Sequence, residues 1–347
     1  MNKSKKVLVA MSGGVDSSVT AAILLEYGYE VVGVTFRMFP WFNTKHLEDA
    51  KKVAEILNIN HIVLDFCDVF EKEVINYFVN EYARGRTPNP CVVCNKKIKF
   101  GLALTHALKL GFDYLATGHY AKVIYDENLK RFLIKKASSR KDQSYCLYTL
   151  DQQQLAHAIF PLSDFEKPQI REKAKDIGLP IHDKPDSQDV CFIQGDYCDF
   201  IKKRIGPFEF GNFLDENGNV LGTHKGIFGY TVGQRKGLKI FSDKRLYVNS
   251  INAKENTIIL GNSKKIKNLV ASNLNFIPFD KLESPMRVSA RTRYNCQESA
   301  ATIIPITDNK EFKVNVSFDS EIKFAAPGQS VVFYDNDNVL IGGGTIE

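Results

Sequence analysis

Between a short apolar run at residues 7–11 and a helix-forming stretch at 17–27, the chain carries Ser12-Gly13-Gly14-Val15-Asp16-Ser17-Ser18. A strand that ends in paired glycines and runs into a helix leaves a loop whose backbone can approach a ligand closely. Backbone N–H groups and the helix dipole supply fixed positive potential there, and Ser12, Ser17 and Ser18 add hydroxyl donors, making a cradle for phosphate oxygens. The string lacks the Gly-Lys-Ser/Thr ending of a Walker A loop, so it places no lysine to follow a γ-phosphate. A lone Gly-Gly pair reads as a serine-capped turn. The whole string between strand and helix is far more specific.

The rest of the first half keeps the same alternation. Residues 31–36 and 61–64 are β-branched and apolar, and 113–117 form a further strand ending at Gly118. Between them, 46–57 place Leu47, Ala50, Val53, Ala54 and Leu57 at helical spacing, and 96–110 read as a helix. Pro168 opens another helix that Gly178 and Pro180 close. Strands alternating with helices predict an α/β fold, a doubly wound parallel sheet whose ligands sit at the carboxyl ends of the strands. After Gly206 the texture changes. Asp215-Glu216-Asn217-Gly218-Asn219 is a hairpin signal, and short alternating strands such as 287–290, 301–304, 313–318 and 330–334 predict a small β-barrel. The expected division is residues 1–205, 206–266 and 267–347.

The apolar run at 7–11 is too short for a signal core, and no stretch approaches a membrane span. Seven cysteines, an odd number scattered through a long chain, argue against a secreted disulfide framework and for reduced thiols in a cytoplasm. The net charge of +6 is compatible with a polyanionic partner without demanding one.

Two cysteine segments stand out. Thr87-Pro88-Asn89-Pro90-Cys91-Val92-Val93-Cys94-Asn95 is stiffened by two prolines. It sets Cys94 at or just before a helix N-terminus, with Lys96 and Lys97 nearby, a position that lowers a thiol pKa. Cys191 follows Lys184-Pro185-Asp186-Ser187-Gln188-Asp189-Val190, a polar loop pattern, although a cysteine before Phe192 also reads as a small buried apolar residue. Cys91 with Cys94 also has the form of half a zinc site, but a second CxxC is missing. A further reading lets Cys91, Cys94 and Cys191 hold three corners of a [4Fe–4S] centre.

The string from Ser12 to Ser18 resembles the PP-loop of the ATP-pyrophosphatase superfamily, whose members adenylate an oxygen and release pyrophosphate. Its combination with 87–95, Ala116-Thr117-Gly118-His119-Tyr120, Lys141-Asp142-Gln143-Ser144-Tyr145 and 186–193 resembles the tRNA-specific 2-thiouridylases. Tyr230-Thr231-Val232-Gly233-Gln234-Arg235-Lys236-Gly237-Leu238, Arg293-Tyr294, Ala326-Pro327-Gly328-Gln329 and Gly342-Gly343-Gly344 extend the likeness over essentially the whole chain. The resemblance implies a PP-loop domain, a small central domain and a β-barrel that grips tRNA. ATP contacts would come from Ala10, Met11, Ser12, Gly13, Gly14, Val15, Asp16 and Ser17, with Met38 and Gly118, and Asp16 would help hold Mg²⁺.

By the same likeness the reaction is 2-thiolation of the wobble uridine, position 34. Cys94 would be the nucleophile and Cys191 the persulfide carrier, the two able to form a catalytic disulfide. Asn89, Pro90 and Cys91 would line the target base, while His119, Lys141, Asp142, Gln143, Arg293, Tyr294 and Gln329 would contact tRNA. An acidic residue is common in the family where this chain has Cys91, so a role needing a carboxylate does not carry over. The partners implied are the tRNAs for Lys, Glu and Gln, and a cysteine desulfurase or sulfur-relay protein as donor. Two alternatives differ in chemistry: a cluster-dependent tRNA thiolase, and a PP-loop enzyme amidating a small acceptor, which would need neither Cys94 nor Cys191.

Overall fold

The computed structural model describes residues 4–42, 44–185, 190–206, 208–308 and 311–347. Strands β1 (Lys6–Ala10), β2 (Glu30–Arg37), β3 (Asn60–Asp65) and β4 (Tyr114–Ala116) belong to the first sheet. A hairpin of β5 (Ala121–Asp126) and β6 (Arg131–Lys136) stands apart, and β7 (Ala158–Ile159) completes the sheet in the order β3-β2-β1-β4-β7, all parallel. A parallel sheet must be covered on both faces. Accordingly Leu8 points into one apolar cluster and Val7 and Val9 into another, all three fully buried. From β1 the chain builds outward to β2 and β3 on one side, and β4 and β7 add on the other. The carboxyl end of β1 is therefore the switch point where ligands of such sheets bind, and Gly13 and Gly14 occupy it.

Helix α1 (Val15–Glu26) starts two residues earlier than its apolar periodicity predicts, with Gly14 as an N-cap that makes no side-chain cap bond. Helix α2 is Thr44–Ile56. The helix expected over 96–110 begins at Pro90, the residue type favoured at a first helical position. It is not uniform. Pro90–Val93 is α-helical, Cys94–Ala103 is π-helical and Leu104–Lys109 is α-helical again.

The central part holds β8 (Gly211–Leu214), β9 (Val220–His224), β10 (Tyr247–Asn252) and β11 (Thr257–Gly261) in the order β10-β11-β8-β9. Asp215 makes the β8–β9 turn, its carboxylate accepting from the backbone N–H groups of Asn217 and Asn219. The last part is a closed barrel of β12 (Lys265–Phe276), β13 (Met286–Arg291), β14 (Ser299–Asp308), β15 (Glu311–Lys323), β16 (Ser330–Tyr334) and β17 (Leu340–Ile346). Glycine weakens a strand, yet β17 carries three. A Cβ on Gly343 would stand 2.6 Å from the Val331 carbonyl oxygen and 2.9 Å from the Tyr148 ring, so the glycine lets the first domain dock on the barrel. There Tyr145 donates its hydroxyl to the Ser330 carbonyl at 2.7 Å, and Ser144 and Tyr334 share a hydroxyl–hydroxyl bond at 3.0 Å. Tyr145, Tyr148 and Leu150 are buried in this joint. Among the described residues no helix is long and apolar enough to cross a membrane.

Candidate active site

The loop after β1 is held open by its own hydroxyls. Ser17 Oγ accepts from the Ser12 N–H at 3.1 Å, and Ser17 and Ser18 donate to the Gly14 carbonyl. Gly13 sits at φ +70, where a Cβ would lie 2.3 Å from the His46 carbonyl oxygen, so no side chain fits. Gly118, just past β4, packs so close that its Cβ would stand 2.9 Å from the Ser17 nitrogen. Met11 is buried, its N–H bonded to the Val34 carbonyl at 2.7 Å, while Met38 is half-buried just beyond β2. The expected nucleotide residues thus lie at or just past the carboxyl ends of β1, β2 and β4.

Three lysines that the sequence does not place at the loop converge on it. Lys141 and Lys167 bond the two carboxylate oxygens of Asp16 at 3.0 and 2.6 Å, and Tyr120 donates its hydroxyl to the same carboxylate at 2.7 Å. Lys184 bonds the Gly13 carbonyl and Asp49, each at 2.8 Å. The loop string lacks a lysine, but the folded crevice does not. Lys167 lies 151 residues from its partner, so no local motif could reveal it. The same contacts occupy both oxygens of Asp16 with ammonium groups, and a resident Mg²⁺ does not fit there as the side chains stand.

The thiols form a second group. Cys91 and Cys191 are open to solvent but ringed by protein, and Cys94 is buried beside them. Two of them raise a neighbour's pKa: Cys91 and Cys191 act on Cys94, and Cys91 acts on Cys191. The sequence expectation for Cys94 fails here. The helix begins at Asn89–Pro90, so Cys94 lies inside it rather than at its first turn, and burial pushes its thiol up to about 12. Burial likewise lifts Cys191 to about 11. The ammonium of Lys99 opposes burial at Cys91, Cys94 and Cys191, and at Cys146, a buried thiol that sequence reasoning did not connect with the others.

Cys191 is not the small buried residue that its apolar neighbour allowed. Phe192 takes the buried position, ringed by Phe70, Phe78 and Phe200 with centroids 5.3 to 5.7 Å away, and leaves Cys191 exposed. Residues 186–189 of that segment lie outside the described residues. All seven cysteines are free thiols. Among the described residues no three or more His, Cys, Asp or Glu side chains are grouped to hold a metal ion.

The residues expected at tRNA are spread between crevice and joints. His119 is half-buried between Phe100 and Phe160, bonded to Thr117 at 2.6 Å, and burial holds it neutral, well below the usual histidine range. The Asp142 carboxylate accepts from Ala137 and Ser144 and pairs with Arg291, so it braces the 137–144 turn. Gln143 Oε1 accepts from the Tyr120 N–H. Arg293 donates to the Val232 carbonyl at 2.8 Å, Tyr294 stands edge-on to Tyr145, and Gln329 reaches the Thr87 and Pro88 carbonyls, beside Asn89 and buried Pro90.

Comparison with known proteins matches three family profiles along the chain. Profiles described as a tRNA methyl transferase HUP domain, a tRNA methyl transferase PRC-barrel domain and an aminomethyltransferase beta-barrel domain match residues 5–195, 198–262 and 266–346. Proteins of Acetivibrio thermocellus and Caldicellulosiruptor saccharolyticus, each described as tRNA-specific 2-thiouridylase MnmA, are 51% and 49% identical to this chain. The alignments cover 99% of this chain in both cases, and 99% and 98% of the relatives. The chain belongs to the tRNA-specific 2-thiouridylase family. A solved 4-thiouridine synthetase–RNA complex with bound ATP shares 21% identity at a TM-score of 0.37, covering 54% of this chain and 45% of that one. That likeness is too partial to add to the assignment. Lys99, Lys167, Lys184 and Cys146 thus lie beside the expected residues of the candidate site.

Proposed function

We propose that the protein transfers sulfur to C2 of the uridine at position 34 of tRNA, activating the C2 oxygen with ATP. The observation that carries this reading is the continuity of the two groups of residues. Gly118 packs against Asp16 and Ser17 of the loop, and His119, the next residue, feels the same Lys99 charge as Cys94 and Cys191. The residues proposed to cradle the nucleotide and those proposed to move sulfur are thus linked through the Gly118–His119 step.

The triphosphate would lie on residues 12–18, with Lys141, Lys167 and Lys184 able to neutralise charge on departing pyrophosphate. The uridine O2 attacks the α-phosphorus, N3 gives up its proton and pyrophosphate leaves. The terminal sulfur of a Cys191 persulfide then attacks C2, and AMP departs with the C–O electron pair. Cys94 thiolate attacks Cys191 Sγ, leaving sulfur on C2 and a Cys94–Cys191 disulfide, while N3 regains a proton. A cellular thiol reductant returns two electrons to that disulfide. In the other course Cys94 thiolate attacks Cys191 Sγ first, forming the Cys94–Cys191 disulfide and releasing hydrosulfide within the recess; the hydrosulfide then attacks C2 and AMP departs with the C–O electron pair. Mg²⁺ would arrive with ATP, and no step depends on a preformed site for it. The base must leave its stack, a cost of a few kcal/mol that an anticodon loop keeps low. The tRNAs for Lys, Glu and Gln are the proposed substrates, and a cysteine desulfurase or relay protein the proposed donor.

The test is thiolation of unmodified tRNA with Mg-ATP and a desulfurase, reading 2-thiouridine by mass spectrometry. The proposal expects product at position 34 from the wild type and none from Cys191→Ala or Cys94→Ala. Product from Cys191→Ala would exclude the persulfide route.

A further inference from the structure

Lys99 stands five residues after Cys94, inside the π-helical stretch Cys94–Ala103. In an α-helix, turning about 100° per residue, five residues carry a side chain roughly 140° away, nearly to the opposite face. A π-helix bonds i to i+5 and turns at about 4.4 residues, so the same five residues return to within roughly 50° of the starting direction. Gly101 permits the wide turn, because a Cβ there would stand 2.8 Å from the carbonyl oxygen of Lys96, five residues back. Such insertions are frequent at functional sites.

The consequence is a cation aimed at the thiol recess. Lys97, two residues earlier, is paired with Glu73. Among the described residues Lys99 makes no ion pair or hydrogen bond. The titratable groups that feel its charge are uncharged at rest: Cys91 and Cys94 on its own helix, His119 after β4, Cys146 on the 144–147 turn, and Cys191 beside Phe192. Asp142 reaches Cys146, but its carboxylate is already bonded to Ser144 and paired with Arg291. Sulfur transfer must place negative charge in this recess, and Lys99 is the positive group facing it.

We propose that Lys99 is a positioning residue for sulfur transfer: turned onto the Cys94 face by the π-helix, its ammonium is the counter-charge for anionic sulfur on Cys94 and on the Cys191 persulfide. This rests on the sulfur-transfer reading of those two cysteines. The charge acts through the thiols and touches no reacting atom of the uridine.

The test needs neither tRNA nor ATP. The full-length protein is labelled with iodoacetamide across pH 7 to 10, and each cysteine is followed by peptide mass spectrometry. Lys99→Met and Lys99→Gln are expected to label Cys191 and Cys94 about tenfold more slowly at a given pH below their titration, an upward shift of about one pKa unit. Lys99→Arg keeps the wild-type profile. Cys67, whose surroundings are Asp65, Asp68 and Arg37, is the internal control and does not change. Wild-type labelling of Cys191 and Cys94 in both neutral variants overturns the proposal. So does an equal change at Cys67, which would mean a general structural role. Failure of the sulfur-transfer reading shows separately, as 2-thiouridine made by Cys191→Ala.

Discussion

The side-chain amide of Gln329 donates to the carbonyl oxygens of Thr87 and Pro88 at 3.1 and 3.2 Å, joining positions 242 and 241 residues apart. The Thr87 N–H returns a bond to Pro327 at 2.7 Å. Gly328, at φ +90, packs so tightly that a Cβ there would meet Arg86 and Thr87 at 3.0 Å. A turn of the barrel thus holds the segment that launches the helix of Cys91 and Cys94. Gln329, expected at tRNA, also acts within the protein.

Gln329→Leu should therefore disturb the thiol recess from a distance. Two backbone carbonyls lose a partner, a loss of about 1–3 kcal/mol. A lower thermal midpoint with reduced 2-thiouridine formation is expected. An unchanged midpoint and rate would show that the joint does not support the site.

Lys167→Met removes an ammonium from the nucleotide crevice and frees one oxygen of Asp16. Hydrogen bonds to charged groups contribute about 1.5–3 kcal/mol, so kcat/KM for ATP should fall roughly 10- to 100-fold. Pyrophosphate release in the presence of tRNA measures this. Lys173→Met, on the same helix as Lys167 but with its lysine paired to the exposed Glu26 of α1, should leave it unchanged.

Burial raises the Cys94 pKa from its ordinary 9.0 to about 12, so the folded state favours the protonated thiol. That contribution is fully present below pH 9 and is lost as pH rises toward 12. Wild-type stability should fall with pH more steeply than that of Cys94→Ala, by at most about 1.4 kcal/mol per pH unit. Denaturation midpoints between pH 8 and 10.5 test it. The buried tyrosines titrate alike in both proteins, and parallel curves would contradict the burial of the thiol.

Gly101→Ala introduces a Cβ against the Lys96 carbonyl within the π-helix. The helix should relax toward α geometry and swing Lys99 off the Cys94 face. Thiolation is expected to fall at least tenfold, while alanine's better helix propensity offsets about 1 kcal/mol of any strain. Full activity with intact helicity by circular dichroism would show that the wide turn is dispensable.

The fold was legible because its signals are local. The glycine loop, the strand–helix alternation and the Asp215 turn each fit within a dozen residues. The site was legible only in part. The Ser12–Ser18 string marks the crevice, but Lys167 and Lys184 reach it through tertiary packing. For Cys94 the reading erred because 87–95 show a proline-led helix start without showing where the first turn closes. One turn of error moves a thiol from an exposed helix end into a core, and the sign of its pKa shift reverses. The π-helix is invisible to a 3.6-residue period, so Lys99 reads as an ordinary surface lysine.

Trp41 is the only tryptophan in the chain, and its indole N–H donates to the Phe192 carbonyl at 3.0 Å, one residue from Cys191. The Arg204 guanidinium stands 5.4 Å from its ring centroid. Indole emission responds to hydrogen bonding and to nearby charge, so the molecule carries its own optical reporter beside the loop of Cys191. A rearrangement of the Cys191 loop that moves Phe192 can be followed in real time without a label.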